Sequence, residues 1–324
     1  MEKILLTGSC GFIASKVAEK LLEQGYLVLG LDDMNSAYDI RLKRYRLEQL
    51  QKHQNFRFLQ KDISEPQIAS IVKSFLPIAI INLAARAGVR ASISDPFTYF
   101  KTNLTGTLNL LESAKACGIK KFILASSSYV YAGEQKMPFS ENCSVNKPIS
   151  PYAASKKSAE VLCYTYHYLY DINITVFRYF TVYGPAGRPD MSIFKFISLI
   201  DQNKDICVFG DGTQQRDFTY VEDIAEGTIR ALGVKGFQII NLGGDHPHSL
   251  NELISFIEKY LGKKARIVHK DFEKTDIYAT WADISKAQQI LGWQPKTSLE
   301  EGVKKTIQWY KNNYSWVKDI QLGD

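Results

Sequence analysis

The segment KILLTGSCGFIA, residues 3–14, decides the fold of this chain. Ile4, Leu5 and Leu6 form a short apolar run, Gly8 and Gly11 follow, and an amphipathic stretch begins at Ile13 and reaches Gln24. An apolar run closed by glycine and followed by helical periodicity reads as a buried strand turning into a helix. The glycines let the backbone turn tightly and approach a pyrophosphate, whose charge is favoured at a helix N-terminus. Ala14, in place of a third glycine, is small enough for close packing of helix on sheet. A glycine pattern alone is weak evidence; the strand before it and the helix after it give it meaning.

Working outward, YLVLGLDD (26–33), NFRFLQKD (55–62), IAIINLAA (78–85), KFILASSS (121–128) and NITVFRYF (173–180) read as further strands, all buried. Helical patterns lie between them at Leu42–Lys52, Ile68–Phe75, Pro96–Cys117 and Tyr152–Tyr170. Strands alternating with helices at this spacing predict an α/β chain with a Rossmann-like, doubly wound parallel sheet. After Tyr183 the texture changes. A loop, GPAGRPDMS, leads to a helix at Ile193–Gln202, a second helix at Leu250–Leu261, a strand near Ala265–His269, and helices from Ser285 and Leu299. The expected organisation is a dinucleotide-binding domain over residues 1–181, with 217–244 returning to it. Residues 182–216 and 245–324 form a smaller, interleaved α/β domain for the substrate.

Composition bounds the partners. The chain has 324 residues, 45% of them apolar and 23% charged, which are globular values. Forty basic and thirty-four acidic side chains give +6, and they are scattered, so no nucleic-acid surface is expected and an anionic small substrate is compatible. No apolar run approaches the roughly 18–20 residues of a membrane span. With a strand read from the start no leader is expected, and five cysteines (Cys10, Cys117, Cys143, Cys163, Cys207) without metal-ligand spacing fit reduced thiols in a cytoplasmic protein.

The second strand ends in Asp32 and Asp33, about twenty residues beyond the glycines, where a carboxylate takes the adenosine ribose hydroxyls and would repel a 2′-phosphate. That predicts NAD; a solvated turn carboxylate would look the same. Asp62 ends the third strand and is equally a candidate for the adenine side or a surface acid. Tyr152 and Lys156 stand four apart, so one helix face presents both. A free phenol titrates near 10, and a neighbouring ammonium with a positive nicotinamide would favour the phenolate and lower that value. Ser126, Ser127 and Ser128 end the preceding strand, at the carboxyl edge where α/β ligands bind. Separately these could be a core tyrosine, a solvated lysine and a polar turn; together with the glycine turn they predict proton transfer beside a nicotinamide.

The sequence resembles the extended short-chain dehydrogenase/reductase superfamily. TGSCGFIA, LAARAG, SSSYVY, YAASK, RYFTVYGP and RDFTYVEDIAEG follow in that superfamily's order across almost the whole chain. Within it, DDMNSAYDIRLKRYRLE, AARAGVRASISDP and YFTVYGPAGRPDMSIFKF are most similar to nucleotide-sugar 4-epimerases, particularly those acting on UDP-glucuronate. The resemblance implies tightly held NAD and a homodimer formed through the helices containing Asn103–Ala116 and Tyr152–Tyr168. It also implies a cycle in which tyrosinate takes the sugar 4-OH proton, C4 gives up a hydride, and the 4-keto sugar turns over before hydride returns.

The resemblance assigns roles residue by residue. Tyr152 is base and then acid, Lys156 tunes it and Ser127 relays the proton. The cofactor cleft takes Gly8, Gly11, Phe12, Ile13, Asp32, Asp33, Asp62, Ile63, Leu83, Ala84, Ala85, Arg86, Asn103 and Tyr179, together with Tyr152 and Lys156. For the UDP-sugar, Arg216 and Asp276 address the nucleotide and Phe209 stacks on uracil, unless Phe209 is core. Arg90, Arg188, Ser128 and Thr181 line the sugar pocket with Ser127 and Tyr152, and Thr280 gates the C2 substituent. No metal is implied. Asn82 stands where many relatives have His, Arg86 where Gln or Leu is usual, and Glu273 near a diphosphate-binding Arg or Gln. Tyr129 replaces a serine that would help hold a uronate; with the modest Thr280 it supports the alternative of a UDP-N-acetylhexosamine or UDP-glucose/galactose 4-epimerase. Ser127 is followed by Ser128 and Tyr129, neither an acid, which disfavours a dehydratase and less firmly a uronate decarboxylase. A non-catalytic NAD-binding scaffold would have no need of the Tyr–Lys pair.

Overall fold

The computed structural model describes residues 1–133, 136–271 and 277–323. The chain opens with β1 (Lys3–Thr7), α1 (Phe12–Glu23), β2 (Leu27–Asp32), α2 (Ile40–Leu50), β3 (Phe56–Gln60), α3 (Ile68–Phe75) and β4 (Ala79–Asn82). Short helices α4 (Val89–Ser94) and α5 (Pro96–Phe100) lead through a π-helical turn (Lys101–Thr105) into α6 (Gly106–Ala116). Then come β5 (Lys121–Ser127), α7 (Pro151–Tyr170), β6 (Asn173–Tyr179) and β7 (Thr181–Tyr183). The remainder is α8 (Ser192–Asp201), β8 (Asp205–Phe209), β9 (Gln215–Tyr220), α9 (Val221–Arg230), β10 (Phe237–Leu242), β11 (Pro247–Ser249), α10 (Leu250–Leu261) and β12 (Arg266–Lys270). Three helices end the chain, α11 (Ser285–Leu291), α12 (Leu299–Asn312) and α13 (Tyr314–Val317).

Seven strands form one sheet in the order β3-β2-β1-β4-β5-β6-β10, every pair parallel. This is the doubly wound, Rossmann-like architecture, and its order reverses between β1 and β4, where the carboxyl ends of the strands open a crevice. Successive side chains of β1 point to opposite faces. Ile4 and Leu6 join the core under α1 and α9, whereas Leu5 joins the core under α3, α6 and α7. A third core, built from α8, α10 and α12 with β8 and β9, fills the C-terminal unit. There β9 lies between β7 and β11, and β8 pairs with β12.

The structure corrects two expectations and adds an element. The third strand is not buried: β3 is the sheet's edge, and from Arg57 to Gln60 it is exposed or half-buried. The stretch 96–117 is not one helix. A π-helical turn at Lys101–Thr105 interrupts it and carries the buried Asn103, in keeping with the frequent placement of such wide turns at functional sites. Strand β10 is an addition to the expected elements. It follows α9 and pairs with β6 at the edge of the large sheet.

Candidate active site

The crevice between β1 and β4 is shaped by backbone contact. Gly8 has φ +68°, and a Cβ there would lie 2.8 Å from the backbone of Ala84, so only glycine permits the approach of the Leu83–Ala84–Ala85 loop. Gly11 N donates to Gly8 O (2.7 Å), which folds the turn beneath Phe12 and Ile13, the first residues of α1. Thr7 Oγ1 donates to Asn82 Oδ1 (2.6 Å), Ala84 N donates to Thr7 Oγ1 (3.1 Å), and Asn82 Nδ2 donates to Thr107 Oγ1 (3.0 Å). Asn82 is therefore a tether in this chain, one end of its amide held by Thr7 at the end of β1 and the other by Thr107 on α6.

Asp32 and Asp33 look alike in the sequence and differ in the fold. Asp32 is buried and accepts from Cys10 N (3.1 Å), Met34 N (2.8 Å) and Lys43 Nζ (3.1 Å). Asp33 accepts from Asn35 N (3.0 Å), lies 3.6 Å from Lys43, and is the more exposed carboxylate. Lys43, on α2, was not foreseen; it offsets the charge of the pair and leaves Asp33 as the carboxylate nearer solvent. Asp62 holds its own turn through Ser64 N (2.8 Å) and Ser64 Oγ (2.7 Å), and Ile63 packs under Gly106. Asn103 clamps the loop: Oδ1 accepts from Arg86 N (2.8 Å), and Nδ2 donates to Arg86 O (3.0 Å) and Ser155 Oγ (2.9 Å).

These residues fit a dinucleotide. A glycine turn whose missing side chains create the space opens a helix, and Asp33 offers a partly exposed acceptor. Arg86 supplies the independent sign: Nη1 donates to Asn35 Oδ1 (3.1 Å), but its buried Nε–H has no hydrogen-bond partner. A buried donor left unmade is costly, and an anionic group in the crevice would satisfy it. Tyr179 contributes no side chain there. Its hydroxyl bonds Thr228 Oγ1 (2.8 Å) and its ring stacks on Phe177 in the core.

Ser127 ends β5, and Tyr152 and Lys156 rise one turn apart at the start of α7, where Pro151 and the Ser150 cap (Ala153 N to Ser150 Oγ, 3.2 Å) fix the helix entry. The Ser127 side chain acts on the Tyr152 phenol and favours its ionised form, and the Tyr99 and Tyr129 rings flank it edge-on at 6.1 and 6.2 Å. The expected lowering of the phenol is not what the protein side chains alone deliver. Burial is the largest influence and raises it; the Ser127 hydrogen bond and the Arg188 charge oppose that. Lys156 Nζ donates to the Ala125 carbonyl (2.9 Å), and burial pushes its ammonium down to about 8, with Glu160 acting the other way.

Behind this pair lies a network that sequence reading missed. Arg178 donates through Nε and Nη2 to Glu160 (2.9 and 2.8 Å), and Ser126 Oγ donates to the same carboxylate (2.6 Å). Arg178 Nη1 reaches Tyr131 Oη (2.8 Å), which donates to Asn241 (2.8 Å). The signal was present: a charged residue in the apolar strand NITVFRYF needs a buried partner.

On the substrate side, Thr181, Gly187 and Arg188 share a pocket with Phe12 and Phe218. Arg188 pairs with Asp190 (Nη2–Oδ2 2.5 Å), donates to Ala87 O (3.3 Å), and its charge reaches Tyr152. Ser128 is buried at the turn after β5. Arg90 lies 4.3 Å over the Phe209 ring, and Phe209 is half-buried, so the ring stacks on a cation and is not a core packer. Arg216 Nη1 donates to Gln215 O (2.8 Å) and Tyr278 O (3.2 Å). Thr280 is buried with its hydroxyl accepting from Asp217 N (3.2 Å), as part of the packing between β9 and the 279–282 segment. Asp276 and Glu273 lie outside the described residues.

The sequence pattern of the family described as GDP-mannose 4,6 dehydratase matches residues 5–306. The chain is 54% identical over 320 residues to a UDP-glucuronate 4-epimerase of Thermodesulfobacterium geofontis, covering 98% of this chain and 99% of that one. It is similar to the crystal structure of a UDP-glucuronic acid 4-epimerase from Bacillus cereus in complex with UDP-glucuronic acid and NAD. The TM-score is 0.90 at 37% identity, over 96% of this chain and 100% of that one. A UDP-glucose 4-epimerase from Thermotoga maritima, solved with UDP-glucose, gives 0.89 at 31% identity over 96% and 99% of the two chains. With the pattern spanning the glycine turn, the Tyr–Lys helix and the C-terminal unit, the chain belongs to the GDP-mannose 4,6 dehydratase family of extended short-chain dehydrogenases/reductases.

Proposed function

We propose that this chain is an NAD-dependent 4-epimerase that interconverts UDP-glucuronate and UDP-galacturonate through a 4-keto sugar. The observation that carries the choice of sugar is Arg188, a cation whose field reaches the Tyr152 hydroxyl, where a uronate bound for reaction at C4 would bring its carboxylate. The relative at 54% identity supports the same sugar. Tyr152 takes the proton from the sugar O4 and later returns it, and Ser127 shares that proton. Lys156, anchored on the Ala125 carbonyl, brings positive charge to the same helix face. NAD, when bound, supplies a reversible hydride acceptor for C4 and a positive charge that favours the phenolate. Gly8, Gly11, Asp33 and Arg86 would hold it, with Asp32 and Asn103 bracing the turn and the loop that form its cleft. Arg216 and Phe209, with Asp276, would take the diphosphate and uracil. A 4-keto uronate is a β-keto acid that can lose CO2 unassisted, and Arg188 would hold the carboxylate out of line with the ketone.

An N-acetylhexosamine remains the second reading because of Tyr129, whose ring edges onto Tyr152. Thr280 gives it no support, being packed against Asp217. A homodimer is proposed through α6 and α7, whose outward Leu108, Val161, Tyr164 and Tyr168 are exposed on the single chain, and the cytoplasm is the proposed location. Among the described residues no helix is long and apolar enough to cross a membrane.

The test is NMR of the anomeric protons during separate incubations with UDP-glucuronate, UDP-N-acetylglucosamine and UDP-glucose. UDP-galacturonate without stoichiometric NADH is expected. Appearance of UDP-N-acetylgalactosamine or UDP-galactose alone would overturn the uronate assignment, and accumulation of a pentose product would make the enzyme a decarboxylase.

A further inference from the structure

Arg46 lies on α2, one turn beyond Lys43, and is 3% exposed. Its guanidinium is divided among pieces of backbone far apart in the chain. Nη1 donates to the Cys10 carbonyl (3.0 Å), inside the glycine turn, and to the Tyr38 hydroxyl (2.7 Å). Nε and Nη2 both donate to the Ala186 carbonyl (3.1 and 2.6 Å), and Nη2 reaches Gly187 O at 3.4 Å. Ala186 has φ +54°, a left-handed conformation unfavourable for any residue with a Cβ. The fork therefore holds a strained turn, and the next side chain but one is Arg188. Tyr38 completes the link: its ring lies 5.6 Å from the Arg46 guanidinium and 5.7 Å from that of Arg188.

We propose that Arg46 is a positioning residue that ties the cofactor turn to the 184–188 turn and thereby sets Arg188 for a uronate carboxylate. This rests on the epimerase reading above. A planar fork with donors on three nitrogens can span Cys10 O and Ala186 O at once; a lysine carries the same charge on one nitrogen and cannot. Losing the fork frees Ala186 to leave the left-handed region, and Arg188 moves with the backbone. The consequence is selective: the uronate loses its partner, whereas a neutral hexose loses nothing at that point.

The experiment is calorimetric binding of UDP-glucuronate and UDP-glucose to NAD-loaded protein in a Tyr152→Phe background, so that neither sugar turns over. The parent is expected to prefer the uronate about tenfold or more, the scale of one charge-assisted hydrogen bond. Arg46→Lys should cut the preference to about twofold while leaving UDP-glucose affinity nearly unchanged. Adding Ala186→Gly, which removes the left-handed cost, should restore part of it. An Arg46→Lys protein that keeps the preference, or weakens both sugars equally, overturns the inference. If Arg46→Lys does not fold, Tyr38→Phe removes one acceptor of the fork and should lower the preference in part; full retention there also overturns it. A parent without any preference for the uronate sinks the uronate reading and this inference together, which separates that failure from the others.

Discussion

At the residue scale, the site is set by which charges burial leaves standing. Lys156 is pushed down to about 8, so it is protonated below that pH and neutral above it. If its charge supports the phenolate, kcat falls on the alkaline side with an apparent value near 8. Lys156→Met should lower kcat by about 10²–10⁴-fold and remove that limb; a limb that persists belongs to another group. Tyr152→Phe keeps the ring and its contacts with Tyr99 and Tyr129 but has no proton to move. It should bind UDP-glucuronate like the parent and lose a similar ~10²–10⁴-fold in turnover, measured by the same anomeric signals. Undiminished turnover would remove Tyr152 from the mechanism. Much of this was legible in the sequence, because Tyr152 and Lys156 are neighbours on one helix face wherever that helix lies. The balance acting on Tyr152 was not, since Arg188 comes from a loop after β7.

At the scale of elements, α7 must keep its register on β5 and β6 for Tyr152 to meet Ser127. Glu160 and Arg178 provide that join, each about 1% exposed in its side chain. Glu160→Gln leaves the Arg178 charge buried without its counter-ion and should cost about 3–5 kcal/mol. The surface pair Glu226–Arg230, with side chains 32% and 34% exposed, is the control; Glu226→Gln should cost less than about 1 kcal/mol. Urea unfolding of both variants checks the contrast, and equal losses would mean that the buried pair is not the anchor. The glycine turn was readable at this scale because strand, turn and helix are consecutive. The edge position of β3 was not, because its apolar content says nothing about which strands lie beside it. Nor was the break at Lys101–Thr105, where helical propensity continues and the clamp made by Asn103 sets the local geometry.

At the scale of the whole molecule, two cores flank one parallel sheet and a third fills the C-terminal unit, with the site between them. The outward faces of α6 and α7 leave Leu108 on α6 and Val161 and Tyr168 on α7 at 37%, 54% and 74% exposure, a surface suited to a second copy. Analytical ultracentrifugation should find twice the chain mass, and Val161→Glu combined with Tyr168→Glu should return it to the monomer; a parent that sediments as a monomer removes the dimer. The sequence by itself determined the doubly wound sheet, the glycine turn and the Tyr–Lys pair, because each depends on periodicity or spacing within one segment. Only the tertiary structure decided that Lys43 offsets Asp32, that Arg178 meets Glu160, and that Arg46 joins Cys10 to Ala186, 36 and 140 residues away along the chain. Charged side chains carry no mark of their distant partners. Burial makes each such contact decisive, and only the folded chain brings the two ends together.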